Sequence, residues 1–426
     1  MKEEFLHYIW RFQKFDQNKL ETTDGKPLAI FDTGHYNTDS GPDFKQANLS
    51  IDGIKWAGNV EIHVKASDWL KHNHQSDEAY GSVILHVVWI QDQIIKNADG
   101  EVIPTLELHD RSDKDLENRY IALVRNLYPI PCKNYLPSIR EITKLDMMEQ
   151  ALIHRLELKA QEILEIYRNQ QKDWPQTCQI WLFRHFGFKV NTEPFTELGK
   201  RIPWKLFAWH QQNPFQIEAL LFGVAGLLQN NTIDHEYYKS LKKEFKFLAS
   251  KNKFKENYIE AEQWKFLRLR PANFPTLRMA QLAAFMATNP HPYTLLESFP
   301  DVKKLDDAFK NELSPFWKTH YHFGKTGKGI PKHMGQNSRD LLIINVAAPL
   351  MFAIGLEKED QQYFDTALEW LEALTPEKNR ITKNWEELGL PNNTAFDSQA
   401  LIGLYRHFCE NKQCLKCKIG NEALQS

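Results

Sequence analysis

The sequence predicts an α/β domain with a mixed sheet in residues 1–130, followed by a mostly α-helical region in residues 131–408. Between residues 28 and 108, segments in which apolar and polar side chains alternate, as in strands, are separated by hairpin turn sequences. Three prolines between residues 129 and 137 then mark a boundary, beyond which apolar residues recur at helical spacing. A helix in residues 3–15, with apolar residues on one face, opens the first domain.

The strand assignments within the first domain follow from alternation and turn chemistry. Residues 47–51 alternate, Asp52-Gly53 favours a tight hairpin turn, and residues 54–65 form the returning strand. Residues 83–89 are almost wholly apolar, so we place that strand in the interior of the sheet. A last strand is predicted in residues 102–108 after a second turn.

The helical region begins with a long predicted helix in residues 142–168, whose apolar residues repeat every three to four positions. Later helices are predicted in residues 215–228, 237–251, 279–287, 340–355, 360–374 and 396–408. No window reaches the eighteen or so continuous apolar residues of a membrane span, and the first residues lack a signal peptide pattern. We therefore expect a cytoplasmic protein without a membrane partner.

The composition is that of an ordinary globular protein, with 42% hydrophobic and 25% charged residues and a formal net charge of −2. The chain is therefore no polycation, and any binding of nucleic acid must come from local basic patches. Five cysteines in 426 residues do not form a disulfide scaffold.

The strongest candidate for chemistry is an acidic and histidine-rich segment of the predicted hairpin. Asp43 precedes one strand, and Glu61, His63 and Lys65 alternate along the next, opposite the apolar face of that strand. Pairing of the two strands would bring the carboxylates of Asp43 and Glu61 together, as a hard cation such as Mg²⁺ or Mn²⁺ requires. His63 adds a third ligand or a base, and Lys65 a charge for a phosphate. The alternative interpretation is a turn cap and the solvated face of a hairpin.

Further histidines surround this segment. His72 and His74, with the nearby Asp68 and Asp77, can enlarge a metal site or contact a substrate, and a polar surface loop is the alternative. His86 lies inside an apolar strand, which is typical of a hydrogen-bonded core histidine.

The arrangement of Pro42-Asp43 and Glu61 within a helix–strand–hairpin–helix–strand order resembles the PD-(D/E)XK nuclease superfamily. The resemblance implies a restriction-endonuclease-like core, a divalent cation and hydrolysis of nucleic-acid phosphodiester bonds, with Asp43 and Glu61 as the acids. The superfamily has a lysine two residues after the second acid, whereas this chain has His63 there and Lys65 two residues further. Histidine lacks the permanent charge of lysine. The departure puts catalysis in question.

The whole chain also resembles an uncharacterised bacterial family that is catalogued as a domain of unknown function. The resemblance is carried by the Phe-Leu-His-Tyr-Ile-Trp start at Phe5, by the Gly-Asn-Val-Glu-Ile-His-Val-Lys run from Gly58, and by Arg-Leu-Arg-Pro-Ala-Asn-Phe-Pro from Arg268. It implies a common architecture and brings no activity with it.

The third predicted segment is a cysteine-containing tail in residues 409–426, which we expect to pack on the helical region. Cys409, Cys414 and Cys417 have the Cys-x4-Cys-x2-Cys spacing of ligands to zinc or to an iron–sulfur cluster. The fourth ligand can be Cys132, Cys178 or His407, of which we favour Cys132. The alternative is three free thiols on a frayed tail.

Two basic stretches of the helical region are candidate contacts to the phosphates of DNA or RNA. The first contains Arg268 and Arg270 and is followed by Arg278, and the second is a glycine-containing loop with Lys325 and Lys328. The full phosphate-binding loop pattern is absent from this second stretch, which excludes a nucleotide-hydrolysing site of that type. Ordinary solvated cations are the alternative in both cases.

Together these patterns predict a metal-dependent nuclease-like protein. The first alternative is a non-catalytic protein that binds nucleic acid or ribonucleoprotein and retains the nuclease fold. A further alternative is a structural module that docks protein partners through its helical surface.

Overall fold

The computed structural model describes residues 2–211, 213–252, 258–328, 330 and 332–425, and these residues form two compact units. The first unit comprises residues 1–147 together with residues 405–426, and the second comprises residues 148–404. The mixed sheet near the N-terminus and the helical region behind it confirm the predicted order of the two parts. The tail belongs to the first unit, where it contacts Arg140 and Asp146, which lie at the start of the predicted helical region of residues 131–408.

The first unit is built on a mixed sheet with the strand order β1-β3-β4-β5-β6. The short strand β2 lies outside this order and pairs with β3. Strands β1, β3 and β4 are antiparallel to one another, whereas β5 runs parallel to β4 and β6 runs parallel to β5. The strands are β1 (Leu28–Asp32), β2 (His35–Tyr36), β3 (Phe44–Ile51), β4 (Ile54–Lys65), β5 (Val83–Ile90) and β6 (Thr105–Glu107). The helices of this unit are α1 (Glu3–Arg11), α2 (Asp68–Lys71), α3 (Lys114–Arg125), the start of α4 (Glu141–Asn169) and a C-terminal helix, Lys418–Gln425.

The β3–β4 hairpin has the predicted turn. Asp52 and Gly53 both have positive φ angles, of 52° and 79°, as a type I′ turn requires. β4 then runs through the interior of the sheet, and its second half is buried on both faces because α1 and α2 pack against it. Glu61 and His63 are consequently 5% and 1% exposed. They do not lie on a solvated face.

The tail is held within the first unit by polar contacts with its helices. The Arg119 side chain donates to the carbonyl oxygen of Leu424 at 2.8 Å, and Glu422 pairs with Arg140 at 3.1 Å. Lys418 pairs with Asp146 at 2.6 Å. These contacts fix the C-terminal helix beside α3 and the start of α4, which explains why the tail is not frayed.

The second unit is helical, with one small hairpin. Its helices after α4 are α5 (Trp174–Phe186), α6 (Thr192–Arg201), α7 (Trp204–Trp209), α8 (Pro214–Val224), α9 (Glu236–Lys251), α10 (Pro275–Thr288), α11 (Pro292–Glu297), α12 (Val302–Phe309), α13 (Gln336–Leu342), α14 (Ala348–Lys358), α15 (Gln361–Ala373), α16 (Arg380–Glu386) and α17 (Ala395–Gly403). The C-terminal helix of the first unit, Lys418–Gln425, is numbered α18. The hairpin consists of β7 (His320–His322) and β8 (Lys325–Thr326), where a loop was predicted.

A continuous helical segment in this unit, Gln336–Lys358, joins α13 and α14 through a π-helical turn. By length and composition it could cross a membrane, although the sequence windows had predicted no such segment. However, 78% of its most apolar window is buried within the protein, which is typical of a core helix.

Candidate metal site

Asp43 and Glu61 lie side by side because each carboxylate accepts a hydrogen bond from the backbone of the other strand. The Asp43 N–H donates to Glu61 Oε2 at 3.1 Å, and the Ile62 N–H donates to Asp43 Oδ2 at 3.0 Å. These bonds extend the β3–β4 pairing, in which Phe44 opposes Val60. The predicted meeting of the two acids is therefore present in the structure.

The loop before Asp43 is organised by a single amide side chain. Asn37 Nδ2 donates to the carbonyl oxygens of Asp39, Ser40 and Pro42 at 3.2, 3.2 and 3.0 Å. The Asn37 N–H also donates to the Asp43 carbonyl oxygen at 2.7 Å. These bonds fix the position of Asp43 beside Glu61.

Three histidines complete the cluster around Glu61. The ligand atoms of His63, His72 and His74 all lie within 4.8 Å of one another. Nε2 of His63 is 3.1 Å from Nδ1 of His72. Oε1 of Glu61 is 3.4 Å from Nε2 of His74 and 3.7 Å from Nε2 of His63. His72 and His74 are carried by the short connection between β4 and β5, which folds back over the sheet.

Three distances within this cluster can be compared with those around a metal ion. Two ligands at about 2.1 Å from a tetrahedral or octahedral ion are separated by roughly 3.0–3.4 Å. The His63–His72 and Glu61–His74 pairs, at 3.1 and 3.4 Å, match that separation, and the Glu61–His63 pair, at 3.7 Å, is slightly wider. Trp69 and Tyr80 fix the planes of two imidazole rings. Tyr80 stacks on His74 with the ring centres 3.8 Å apart, and Trp69 packs edge-on against His63 with the ring centres 6.4 Å apart.

The protonation states follow from burial. Burial, and after it the charge of Asp43, raise the pKa of Glu61 to about 9, so this carboxyl is protonated at neutral pH when no cation is near it. Burial, and after it the neighbouring histidines, lower the pKa of His63 to about 2. His63 is therefore a neutral imidazole with a lone pair for a metal. A divalent cation would favour the ionised form of Glu61 and use that lone pair.

A further histidine, which the sequence reasoning missed, lies beside the acids. His7 of α1 places Nε2 3.2 Å from Asp43 Oδ2. His7 and Arg11 are four residues apart on the polar side of α1, opposite the buried Phe5 and Ile9. That polar i,i+4 pair was the available signal, but only the fold could connect it to Asp43.

The polar side of α1 also borders a cleft formed with the cysteine tail. His7, Arg11 and Tyr36 line it on one side, and Lys412 and Lys416 line it on the other. The guanidinium of Arg11 lies 5.9 Å from the centre of the Tyr36 ring. The cleft thus combines cations with an aromatic surface, and His7 links it to Asp43.

The remaining predicted site residues lie elsewhere. Lys65 is exposed at the end of β4, beyond the cluster formed by the acids and imidazoles. His86 is fully buried in β5, as predicted, and Nε2 of His86 is 2.9 Å from Nδ1 of His63. His86 therefore orients the candidate ligand His63, and its own nitrogens do not belong to the group formed by His63, His72 and His74.

The basic residues that we predicted to contact nucleic acid all belong to the second unit. Arg268, Arg270, Lys325 and Lys328 are exposed. Arg278 is only 5% exposed, and its guanidinium lies over the Phe188 ring and donates to Asn273, Gln281 and Ser338. Because these contacts occupy it inside the unit, Arg278 is not presented to a nucleic acid.

The predicted cysteine ligands divide between the two units. Cys132, Cys409, Cys414 and Cys417 are buried in the first unit, whereas Cys178 is buried in α5 of the second.

Comparison with known proteins identifies one family. A family model described as "Protein of unknown function (DUF2851)" matches residues 3–380. No curated protein and no solved structure matches the chain. The matched range includes the sheet, the residues of the candidate metal site and most of the helical unit, in agreement with the whole-chain resemblance noted from the sequence. The chain therefore belongs to the DUF2851 family.

Proposed function

We propose that this protein is a metal-dependent hydrolase of nucleic-acid phosphodiester bonds, with the metal held by Glu61, His63, His72 and His74. The observation that carries the proposal is the ligand spacing, in which Glu61 Oε1 is 3.4 Å from His74 Nε2 and the His63 and His72 nitrogens are 3.1 Å apart. Hydrogen-bonded Asp43 stands directly beside this set.

The strand topology supports the phosphodiesterase assignment. An antiparallel β3–β4 hairpin is followed by a crossover through α2 to β5, which is parallel to β4. This is the order that the resemblance to the PD-(D/E)XK superfamily implies, with Asp43 at the start of one hairpin strand and Glu61 within the other. The resemblance and the ligand cluster thus share Glu61, and Asp43 is hydrogen-bonded beside it.

The donor set bears on the choice of metal. Three imidazoles and one carboxylate suit Mn²⁺ or Zn²⁺ better than Mg²⁺, which prefers oxygen ligands and retains several waters. We therefore retain Mn²⁺ from the sequence prediction and add Zn²⁺ as the second candidate. When bound, such an ion supplies a water molecule of lowered pKa and polarises a phosphoryl oxygen.

The protein's own groups have separable roles in this proposal. The carboxylate of Asp43 is positioned by two contacts, one with His7 of α1 and one with the Ile62 N–H of β4, which donates to it. Trp69 and Tyr80 pack on the imidazoles and limit the access of water to that side of the cluster. Arg11 and Lys416 in the adjoining cleft would bind the phosphates of the substrate.

The direct test is a cleavage assay with the full chain on single- and double-stranded DNA and RNA, after metal removal and after addition of Mn²⁺, Zn²⁺ or Mg²⁺. We expect cleavage with Mn²⁺ or Zn²⁺ that Glu61→Gln and His74→Asn abolish. Glu78→Gln is the matched control, because Glu78 is exposed in the same unit. Full activity of Glu61→Gln, with a folded protein, would reject this site.

One observation favours the alternative of a binding protein without catalysis. His63 occupies the position of the lysine in the nuclease superfamily, and burial keeps its imidazole neutral. The site therefore lacks the fixed charge that the lysine supplies to a phosphate. Salt-sensitive binding of nucleic acid, with no cleavage by any of the three metals, would support this alternative.

A further inference from the structure

A second group of metal-ligating side chains lies in the first unit, apart from the histidine cluster. Cys409, Cys414 and Cys417 follow one another in the tail, and Cys132 lies between α3 and α4. Each of the four is 5% or 6% exposed, and none forms a disulfide. Four of the five cysteines of the chain are thus buried in one unit.

The backbone of the tail forms a tight turn at two of these cysteines, Cys414 and Cys417. The Cys417 N–H donates to the Cys414 carbonyl oxygen at 3.3 Å, which closes a tight turn between them. Burial raises the pKa of the Cys417 thiol, and the backbone N–H groups of Gly420 and Ile419 lower it in part. Gly420 lies so close to the turn that a Cβ atom there would be 2.2 Å from the Cys414 carbonyl oxygen.

Cys132 is brought to the tail by a chain of polar contacts. Lys412 Nζ donates to the carbonyl oxygen of Asn126 at 2.6 Å. The Asn126 side chain in turn donates to the carbonyl oxygen of Pro131 at 2.7 Å, directly before Cys132. The Tyr135 N–H donates to the Cys132 carbonyl oxygen at 2.9 Å and turns the chain there. The loop that carries Cys132 is therefore tied to the segment between Cys409 and Cys414.

The electrostatic environment is consistent with this proximity. Burial raises the pKa of Cys409, and the charges of Cys132, Cys417 and Cys414 raise it further. The pKa of Cys132 is raised by burial and then by Cys417 and Cys414. Four buried cysteine side chains without a disulfide provide the ligand set that zinc ions and iron–sulfur clusters take.

We propose that Cys132, Cys409, Cys414 and Cys417 are the ligands of one thiolate-bound metal centre, either a zinc ion or an iron–sulfur cluster. Each thiol loses its proton to solvent as its sulfur binds the metal. The centre joins the tail to the loop before α4 and holds residues 412–416 in place. It is independent of the histidine site, because the two share no ligand.

The first experiment measures metal and sulfide in the full chain after anaerobic purification, and again after reconstitution with zinc or with iron and sulfide. One sulfur-bound zinc per chain, in addition to any ion at the histidine site, or iron with an equal amount of acid-labile sulfide, is the expected result. Replacement of zinc by Co²⁺ should produce the intense thiolate-to-cobalt bands of tetrahedral sulfur ligation. If neither metal binds in a defined ratio, the proposal is overturned.

Variants then assign the ligands. Cys132→Ala and Cys417→Ala should each lose the metal centre, whereas Cys178→Ala should retain it, since Cys178 is buried in the second unit. Retention of a full complement of metal by Cys132→Ala would overturn the assignment of the fourth ligand. If an alanine variant does not fold, the thiolate-to-cobalt bands of the unmodified chain still test whether the metal is bound by sulfur. In Glu61→Gln the sulfur-bound metal should remain, which separates this centre from the proposed catalytic one.

Discussion

The imidazoles of His63 and His86 lie in adjacent parallel strands, with Nδ1 of His63 2.9 Å from Nε2 of His86. One of the two nitrogens donates and the other accepts, so His86 fixes both the tautomer and the ring orientation of His63. The remaining nitrogen of His63 is thereby directed towards Glu61 and His72. His86 is fully buried and acts on the proposed metal only through His63.

We predict that His86→Leu lowers the affinity for Mn²⁺ or Zn²⁺ at the histidine site by about 10- to 100-fold, the usual effect of removing a partner of a metal ligand. Competition with a fluorescent chelator measures the affinity, and circular dichroism verifies the fold. His35→Leu is the control, because His35 is exposed in β2. Unchanged affinity in a folded His86 variant would contradict the role assigned to this hydrogen bond.

The cleft between α1 and the tail gives a second prediction. Arg11→Ala combined with Lys416→Ala should weaken the binding of single-stranded nucleic acid and reduce the slope of log K against log salt by about 1.4, roughly 0.7 for each phosphate that no longer has a cation beside it. Fluorescence anisotropy over a salt series provides the measurement. Lys96→Ala combined with Lys114→Ala is the matched control, since both lysines are exposed in the same unit.

If the control pair reduces the salt dependence as much as the cleft pair does, binding is a general effect of surface charge. If Arg268→Ala with Arg270→Ala has the larger effect, the nucleic acid binds to the second unit, as the sequence predicted. These two outcomes distinguish the cleft from the basic stretches.

The sequence predicted local structure well where turn chemistry and alternation acted together. β4 was expected at residues 54–65 and occupies Ile54–Lys65, because Asp52 and Gly53 fix the start of the strand. The same alternation could not show which face would be covered. That depends on α1 and α2, whose packing on β4 buries Glu61 and His63.

The candidate site was predictable only in part, for the same physical reason. Asp43 and Glu61 could be placed together because one hairpin carries both. His7 could not be connected with Asp43, since 36 positions and a helix–sheet contact separate them in the chain. His72 and His74 were noticed as possible ligands, but their approach to Glu61 depends on how the β4–β5 connection folds back.

Gly420 provides a test of the tail that requires no change of a cysteine. On helix propensity alone, alanine in α18 would stabilise the chain by up to about 1 kcal/mol. A Cβ atom at Gly420, however, would lie 2.2 Å from the Cys414 carbonyl oxygen, which is backbone and cannot rotate away. We therefore predict that Gly420→Ala lowers the free energy of unfolding by about 1–3 kcal/mol and reduces the metal bound by the cysteines.

Chemical denaturation and metal analysis of Gly420→Ala measure the two effects. Gly335→Ala is the control, because Gly335 has a φ of −64° and an added Cβ there meets nothing within 4 Å. A Gly420 variant that is more stable than the unmodified chain would show that the turn does not close on Cys414 as described.

The second unit contains a buried acid whose ionisation should make stability depend on pH. Glu218 of α8 is 2% exposed, and its Oε2 accepts hydrogen bonds from the Tyr237 hydroxyl and from Trp317 Nε1, the latter at 2.8 Å. Burial raises the pKa of Glu218 from 4.5 to about 7, although these hydrogen bonds lower it in part. The folded chain therefore retains a proton that the unfolded chain releases between pH 4.5 and 7.

This raised pKa fixes the sign of the last prediction. The contribution of Glu218 to stability is fully present below pH 4.5 and is lost as the pH rises to about 7, by about 3 kcal/mol in total. Glu218→Gln has no proton to release, and its amide oxygen can still accept from Tyr237 and Trp317. From pH 4 to pH 8, the variant should therefore gain about 3 kcal/mol relative to the unmodified chain, measured by urea denaturation at each pH. Glu262→Gln, at an exposed position, should leave the pH profile unchanged. Parallel profiles for Glu218→Gln and the unmodified chain would mean that folding does not shift the pKa of Glu218.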